Sequence, residues 1–202
     1  MKLLAFVDMH GSLRAMEKLK EKGKRANVIL CAGDISIFEQ RIEYFLKEFN
    51  KLKKPFLIIP GNHEDDEHID SISTLFGHVY NIHKKTKIIG DYLFLGYGSG
   101  GFSVLDREFE RVAKRFRKEI TKLKKKNPKL KTILVTHAPP YKTKLDVIEG
   151  SHVGNKSIRL FIKETKIDMV VCGHLHENAG KEEKIGKTRI INPGMFGRLI
   201  TM

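Results

Sequence analysis

Five short polar motifs contain the side chains of this sequence that are best suited to hold metal ions and transfer protons. Each motif directly follows an apolar run of the kind that forms a buried strand. The motifs are Asp8-Met9-His10, Gly33-Asp34, Gly61-Asn62-His63-Glu64, Thr136-His137 and Gly173-His174-Leu175-His176. Carboxylate, amide and imidazole groups together suit Mn, Fe, Co, Ni or Zn better than Mg or Ca. The set therefore predicts a site for divalent transition metal ions.

The spacing within the motifs predicts how these side chains converge. Asp8 and His10 are two residues apart, so on an extended segment both side chains face the same way, and His174 and His176 repeat this arrangement. Asp34 is the carboxylate best placed to bridge two cations ~3.5–4 Å apart. Each motif alone is a common turn sequence. Five of them in order, each after an apolar run, predict one shared site.

The first half of the chain predicts the elements that bring the motifs together. Apolar runs at 2–7, 27–32 and 56–59 are predicted to be buried strands, and they alternate with helical patterns at 12–22 and 42–52. This alternation favours a parallel sheet with crossover helices. Ligands of such sheets bind beyond the carboxyl ends of the strands, which is where the motifs lie.

The second half of the chain has a different pattern. Gly90-Asp91 predicts a hairpin, and the glycine-rich loop 96–101 either lines a pocket or simply connects two elements. The other predicted elements are strands at 86–89 and 92–95, a basic amphipathic helix at 105–126, strands at 132–136 and 168–172, a helix at 157–165, and short antiparallel strands at 187–191 and 198–201. Because no linker or repeat interrupts this order, residues 1–202 are predicted to form a single domain.

The composition describes a globular α/β protein. Hydrophobic residues make up 41% and charged residues 31% of the 202 positions, and no apolar run approaches the ~20 residues that span a bilayer. Cys31 and Cys172 each end an apolar run without Cys-x-x-Cys spacing, which indicates reduced core thiols. We therefore expect a cytoplasmic protein with no membrane partner.

The positive charge is unevenly distributed. The formal net charge is +14, and residues 107–131 alone contain 12 Lys or Arg and 3 Glu. Such a stretch indicates either an anionic partner such as nucleic acid or a solvated lysine-rich helix. A surface that binds nucleic acid by stacking carries aromatic residues among its positive charges. No aromatic residues interleave with the surface charges here, so the solvated helix is the favoured interpretation.

The ordered set of motifs, from Asp8 to about Gly194, resembles the calcineurin-like metallophosphoesterases. The resemblance implies an α/β fold, a four-layer αββα sandwich with mixed central sheets, around two divalent metal ions. Manganese is the expected metal, with Fe, Zn, Ni or Co as alternatives. By motif match, one metal would be held by Asp8, His10, Asp34 and His176. The other would be held by Asp34, Asn62, His137 and His174.

The same resemblance implies roles in phosphoester hydrolysis. A hydroxide that bridges the two cations would attack phosphorus, since metal ions lower the pKa of bound water. His63 would be the general acid for the leaving group, and Asp8 would orient it. An imidazole pKa of ~6.5 suits that transfer near neutral pH.

Two departures from the family's protein phosphatases indicate the substrate. Those enzymes extend Gly-Asp with an Asp-Arg pair and carry an arginine before Gly-Asn-His, whereas in this chain the sequence from Gly33 reads Gly-Asp-Ile-Ser-Ile and Pro60 precedes Gly61. Because such arginines grip a dianionic monoester, their absence favours a phosphodiester. The segments around His137 and His174 are similar to the cyclic-nucleotide-phosphodiesterase branch. His152, in a polar loop between them, either binds substrate or lies on the surface.

Three functions are compatible with these observations. The leading hypothesis is a phosphodiesterase of a small-molecule, nucleotide-like phosphoester. The second is a nuclease that binds nucleic acid through the basic helix at 105–126. The third is a non-catalytic metal-binding scaffold, which the presence of His63 and of every ligand position disfavours. The sequence leaves the oligomeric state open.

Overall fold

A computed structural model describes residues 1–98, 101 and 103–202 of the chain. The predicted glycine-rich loop 96–101 therefore lies partly outside the described residues. The strands are β1 (Lys2–Phe6), β2 (Val28–Cys31), β3 (Phe56–Ile58), β4 (Val79–Asn81), β5 (Thr86–Ile89), β6 (Tyr92–Tyr97), β7 (Lys131–Thr136), β8 (Val147–Ile148), β9 (Ser151–His152), β10 (Met169–Val171), β11 (Glu182–Ile185), β12 (Thr188–Ile191) and β13 (Arg198–Thr201). The α-helices are α1 (Leu13–Gly23), α2 (Ile42–Asn50), α3 (Asp66–Ser73), α4 (Arg107–Lys126) and α5 (Lys156–Glu164).

Two mixed sheets form the centre of the fold. The first has the strand order β13-β1-β2-β3-β4, in which β1 to β4 are parallel and β13 pairs antiparallel with β1. The second has the order β11-β12-β10-β7-β6-β5, with four parallel strands in the middle and an antiparallel strand at each edge. In both sheets the parallel strands present their carboxyl ends at one edge. β8 and β9 form a separate small hairpin.

Three hydrophobic cores lie between four layers. Alternate residues of β1 show the arrangement: Leu3 and Ala5 face the second sheet, whereas Leu4 and Phe6 face the helices. The core on that outer side contains residues of α1 and α2, and the equivalent core on the second sheet contains residues of α4 and α5. The order of layers is therefore helices, sheet, sheet, helices. The predicted αββα sandwich with mixed sheets is confirmed.

The helix after the first motif forms for reasons that the sequence shows. Ser12 is its N-cap, and the Ser12 hydroxyl accepts a hydrogen bond from the backbone N–H of Ala15 at 3.2 Å. Ala15, Met16 and Leu19 then recur at helical spacing and are buried against the first sheet. Full burial of a side chain such as Leu19 contributes roughly 1.5–3 kcal/mol. This helix fixes the chain that follows Asp8-Met9-His10.

Several elements differ from the prediction. α3 and β4 were not predicted, because the polar sequence of α3 lacks a long apolar stripe; its N-cap Asp65 accepts two backbone N–H groups instead. The basic helix begins at Arg107 rather than at 105, since Asp106 is its N-cap, and Leu105 is 68% exposed. In the tail, β12 pairs antiparallel with the unpredicted β11 but parallel with β10. Among the described residues, no helix combines the length and apolarity needed to cross a membrane.

Candidate metal centre

The five motifs lie at the carboxyl ends of parallel strands from both sheets. Asp8, Asp34 and Asn62 follow β1, β2 and β3 of the first sheet, and His137 and His174 follow β7 and β10 of the second. Three overlapping groups have potential ligand atoms within 4.8 Å of one another: Asp8, His10 and His176; His10, Asp34 and His63; and Asp8, Asp34 and His137. Side chains that are far apart in sequence thus meet in one cluster.

The backbone that carries these side chains is strained rather than extended. Asp8, His10, Asp34 and His174 have φ angles of 54°, 44°, 52° and 68°, in the left-handed region that non-glycine residues rarely adopt. Asp8 and His10 do converge on one group of potential ligands, as expected, but the predicted extended segment is wrong, because tight turns aim them. Strain of this kind clusters at functional sites, where the surrounding structure enforces it.

Asp34 lies at the centre of the cluster. Its Oδ2 atom is 3.6 Å from Nε2 of His10 and 3.4 Å from Nε2 of His137. Its Oδ1 atom accepts the backbone N–H of His63 at 3.0 Å. A nearly buried carboxylate with an imidazole on each side has the placement that a ligand bridging two cations requires.

Around His10, one half of the cluster brings two imidazole nitrogens together. Nε2 of His10 is 2.9 Å from Nε2 of His176, which in turn is 4.0 Å from Oδ1 of Asp8. Burial lowers the pKa of His10, so the ring presents a lone pair at neutral pH. A neutral imidazole is the form that binds a metal ion.

The other half of the cluster is built around Asn62. Its Oδ1 atom is 3.1 Å from Nε2 of His137 and 2.9 Å from Nδ1 of His174. The carbonyl of Ala32 lies 2.9 Å from Nδ1 of His137 and can only accept a hydrogen bond. Nδ1 of His137 therefore donates, and its Nε2 faces the cluster, which is the usual orientation of a metal-binding histidine.

The chemistry of this donor set fits a divalent cation. Nε2 of His137 faces the Asp34 carboxylate and the Asn62 oxygen, which are both acceptors. Burial lowers the pKa of His137, but the adjacent Asp34 outweighs burial and raises it above its ordinary value. A positive charge is thus favourable among these acceptors, and a metal ion supplies it better than a proton.

The two carboxylates differ in their environments. Burial raises the pKa of Asp8 to about 6. Burial acts in the same direction on Asp34, but hydrogen bonding and charge from His137 lower the pKa of Asp34 below its usual range. Burial, reinforced by His137, lowers the pKa of His174 to about 4. Asp34 is therefore the ligand that is most strongly held in its charged form.

Glycine is required where these loops cross. A Cβ atom on Gly61 would lie 1.9 Å from Oδ1 of Asp34, and one on Gly173 would lie 2.1 Å from Cγ2 of Val7. Real structures essentially never show such contacts. The glycine of each motif therefore lets the backbone approach the neighbouring strand end closely.

Glu64 holds two of the ligand loops together, although the sequence suggested no role for it. Its Oε2 atom accepts the backbone N–H groups of Asp34 and Gly61, each at 2.9 Å. Its Oε1 atom accepts the backbone N–H and the hydroxyl of Ser36 at 2.9 and 2.8 Å. Burial raises the pKa of Glu64. The only sequence signal for this role was its place at the end of Gly61-Asn62-His63-Glu64.

His63 lies at the edge of the cluster. Its ring centroid is 4.9 Å from that of His10 and 4.7 Å from that of Phe38. Within the described residues, its buried Nδ1 atom has no hydrogen-bond partner. Asp8, the predicted orienting partner, instead accepts the backbone N–H of His174 at 3.3 Å. The pairing of Asp8 with His63 is thus absent from the described hydrogen bonds, because the strained turn directs Asp8 towards the second sheet.

His152 lies in β9, outside the three groups of potential ligands. Its Nδ1 atom is 2.7 Å from Oδ1 of Asp146, a fully buried carboxylate that also accepts the backbone N–H groups of Thr143 and Gly154. Asp146 thereby organises the loop between the His137 and His174 motifs, and nothing in the sequence marked it. A contact between His152 and substrate stays a prediction.

The lysine-rich end of the basic helix lies away from the cluster. Nζ of Lys124 donates to the backbone carbonyl of Lys166 at 2.8 Å and is 3.8 Å from Oδ2 of Asp168, immediately before β10. The metal ligand His174 follows the other end of β10. The lysine-rich end of α4 therefore lies at the opposite edge of the sheet from the candidate metal centre.

Comparison with known proteins identifies the family of this chain. A family model described as calcineurin-like phosphoesterase matches residues 1–178, and the chain belongs to this family. An uncharacterized protein of Methanocaldococcus jannaschii, MJ1162, is 33% identical over an alignment 202 positions long, gaps included, that covers 96% of this chain and 88% of that protein. Family membership implies a phosphoric ester hydrolase that uses divalent metal ions.

Solved structures show the same fold at low identity. TT1561 of Thermus thermophilus superposes with a TM-score of 0.71 at 19% identity, covering 96% of this chain and 90% of that one. A dimetal phosphatase from Danio rerio also has a TM-score of 0.71, at 9% identity, covering 97% and 88% of the two chains. At these identities the likeness establishes the architecture alone.

Proposed function

We propose that this protein is a metal-dependent phosphodiesterase of small, nucleotide-like substrates. The observation that carries the proposal is the convergence of carboxylate, amide and imidazole groups on Asp34, with the imidazole of His63 beside them. Asp8, His10, Asp34 and His176 would hold one cation, and Asp34, Asn62, His137 and His174 the other. When bound, the two cations would supply Lewis acidity and lower the pKa of a water molecule, and manganese is the proposed metal.

The chain's own residues would then orient the reaction. Glu64 holds the Asp34 loop against the Gly61 loop, so the position of His63 is fixed relative to the ligands. As the oxygen of water bonds to phosphorus and the bond to the leaving oxygen breaks, His63 would give its proton to that oxygen. The products are a phosphomonoester and an alcohol; the attacking water releases a proton to the solvent, and His63 later regains one from the solvent.

A diester preference follows from what occupies the ligand loops. The segment after Asp34 carries no Asp-Arg pair, and its Ser36 is buried and bonded to Glu64, so Ser36 offers no free side chain to a second negative charge. Pro60, before Gly61, offers no side-chain donor. A monoanionic diester needs less positive charge beyond the metals than a dianionic monoester does.

The placement of the basic helix favours a small substrate over nucleic acid. A nuclease that used α4 to guide a phosphate backbone would need cations that lead towards the metals. The cluster from Lys124 to Lys126 instead lies at the far edge of the second sheet. The two cysteines are free and buried, which fits the proposed location in the reducing cytoplasm.

The first experiment compares a diester with a monoester. Bis(p-nitrophenyl) phosphate and p-nitrophenyl phosphate would be offered to protein loaded with Mn, Fe, Co, Ni or Zn, with EDTA as the control. We expect turnover of the diester that EDTA abolishes and that exceeds turnover of the monoester. Faster monoester turnover would contradict the diester preference, and no turnover of either ester by metal-loaded protein would favour a scaffold.

The role of His63 has its own test. His63→Asn should keep the bound metal but slow hydrolysis of a diester with a poor alkoxide leaving group by ~10²–10⁴-fold, since the departing oxygen then lacks a proton donor. Hydrolysis of bis(p-nitrophenyl) phosphate should change much less, because p-nitrophenolate leaves without protonation. Equal losses on both substrates would show that His63 is not the general acid.

A further inference from the structure

The segment that follows the Asp34 motif places an aromatic ring beside His63. Phe38 is 73% exposed, and its ring centroid is 4.7 Å from that of His63, with an angle of 57° between the ring planes. Ile37, the preceding residue, is also exposed. Single exposed apolar side chains are common on protein surfaces. The position of Phe38 therefore needs further support before it indicates a function.

The first support is that the segment is anchored on both sides of Phe38. Upstream, Ser36 donates two hydrogen bonds to Glu64. Downstream, Oε1 of Glu39 accepts the backbone N–H of Asp65 at 2.8 Å, and its Oε2 is 2.7 Å from Nδ1 of His68. All these partners belong to the loop of His63 or to the helix that follows it. Phe38 is thus fixed relative to His63 although its ring faces solvent.

The second support is backbone strain that packing does not offset. The φ angles of Phe38, Glu39 and Arg41 are 44°, 62° and 59°, and this region is unfavourable for bulky side chains. A buried ring would compensate for the strain by removing apolar surface from water. The ring of Phe38 is mostly exposed and therefore removes little apolar surface from water. Strain that is enforced to keep an aromatic ring exposed indicates a ligand-binding role.

We propose that Phe38 is a stacking platform for an aromatic ring on the leaving group of the phosphodiester. This inference rests on the proposed function, because His63 defines the leaving-group side of the scissile bond. Aromatic side chains accept any flat ring of this kind, so a nucleobase and a phenyl group share the required chemistry. Phe38 would then be a specificity-determining residue that does not take part in proton transfer.

A matched pair of substrates isolates the stacking contact. Adenosine 2′,3′-cyclic phosphate and the 2,3-cyclic phosphate of methyl riboside share the reacting phosphodiester, but only the first carries a base. We expect wild-type kcat/KM to favour the nucleotide by about tenfold, with the difference mainly in KM. In Phe38→Ala the preference should disappear, so that the ratio of the two kcat/KM values falls to about one. Phe38→Trp, which retains a flat ring, should keep it.

The control variant is Leu160→Ala, since Leu160 is 51% exposed on the unrelated helix α5. It should leave the preference at its wild-type value. If Phe38→Ala slowed both substrates equally, the ring would merely shield His63 from water, and the proposal would be overturned. A wild-type protein without preference for the base, and with none for benzyl methyl phosphate over its cyclohexylmethyl analogue, whose leaving alkoxide is similarly basic, would overturn it as well.

The phenyl arm also identifies the ring. A loss of kcat/KM in Phe38→Ala that is confined to either aromatic substrate supports the stacking platform. The substrate with the larger loss of kcat/KM shows whether a base or a phenyl group is preferred. Calorimetric binding of adenosine 2′-phosphate and of methyl riboside 2-phosphate separates this inference from the proposed function. Protein that binds the nucleotide tighter through Phe38 but hydrolyses no ester would refute the phosphodiesterase alone. Equal affinities of wild type and Phe38→Ala would refute the platform.

Discussion

The two edges of the second sheet concentrate polar residues in different ways. At the carboxyl edge, His137 and His174 meet Asp34 and Asn62 of the first sheet at distances of 2.9 to 3.4 Å. At the other edge, Lys124 of α4 and Lys131 of β7 flank Asp168 near the surface. Both edges contain many ionisable groups. Only one of them has the arrangement of a reactive site.

The difference lies in the backbone beneath the side chains. At the metal edge, glycines allow loops to touch, left-handed residues aim the ligands, and Glu64 bonds to two loops at once. At the lysine edge, long flexible side chains extend from regular elements and form partly exposed ion pairs, which contribute little. The comparison indicates that high charge alone does not make a site. A site also requires that the main chain make the side chains converge.

The strongest test of this contrast removes one carboxylate from each edge. Asp34→Asn should lose both metal ions and reduce turnover on the order of 10³-fold or more, since the shared charged ligand is gone. Asp168→Asn, at the lysine edge, should keep metal content and turnover near the wild-type values. Elemental analysis of the purified variants and diester hydrolysis measure the two effects. Metal retention by Asp34→Asn would show that the centre does not depend on this residue.

A second test compares two glutamates. Glu64→Ala leaves four donors without their buried acceptor, and we expect it to lower the free energy of unfolding by about 4 kcal/mol. Glu119→Ala on α4 removes one half-exposed contact with the hydroxyl of Thr86 and should cost less than about 1 kcal/mol. Urea denaturation of the metal-free proteins measures both. Similar losses in the two variants would mean that Glu64 is not a structural clamp.

The smallest effects are expected on the helix surface. Among the described residues, Lys118, Lys122 and Lys125 form no ion pair, so replacing all three with Gln should change the stability by no more than about 0.5 kcal/mol. Hydrolysis of a small diester should be unaffected. A loss of nucleic-acid cleavage together with a weaker salt dependence of nucleic-acid binding would instead support the nuclease alternative.

Much of the fold could be predicted because its signals are local. Apolar runs and turn residues marked β1 to β3, the hairpin of β5 and β6, and the strands β7 and β10 of the second sheet. α3 was not predicted because its stability comes from the Asp65 cap and from contacts with β4 rather than from an apolar stripe. The strands that pair with β12 were also not predicted, since strand pairing depends on tertiary contacts that no local pattern specifies.

The site could be predicted in composition but not in geometry. The ligand types were evident in the motifs, whereas left-handed angles at Asp8, His10 and Asp34 are set by neighbouring loops and leave no signature in residue type. The role of Glu64 depends on backbone donors 28 to 30 residues away in the chain. For the same reason Phe38 gave no signal, because only the folded chain places it beside His63.

The division of the ligands between two sheets has a thermodynamic consequence. Asp8, Asp34 and Asn62 belong to one half of the sandwich, and His137, His174 and His176 to the other. A partly unfolded state in which the halves separate would present each cation with an incomplete shell. Metal affinity and the docking of the halves are therefore linked. Each bound cation adds its binding free energy to the free energy of unfolding, so the two halves unfold together more cooperatively.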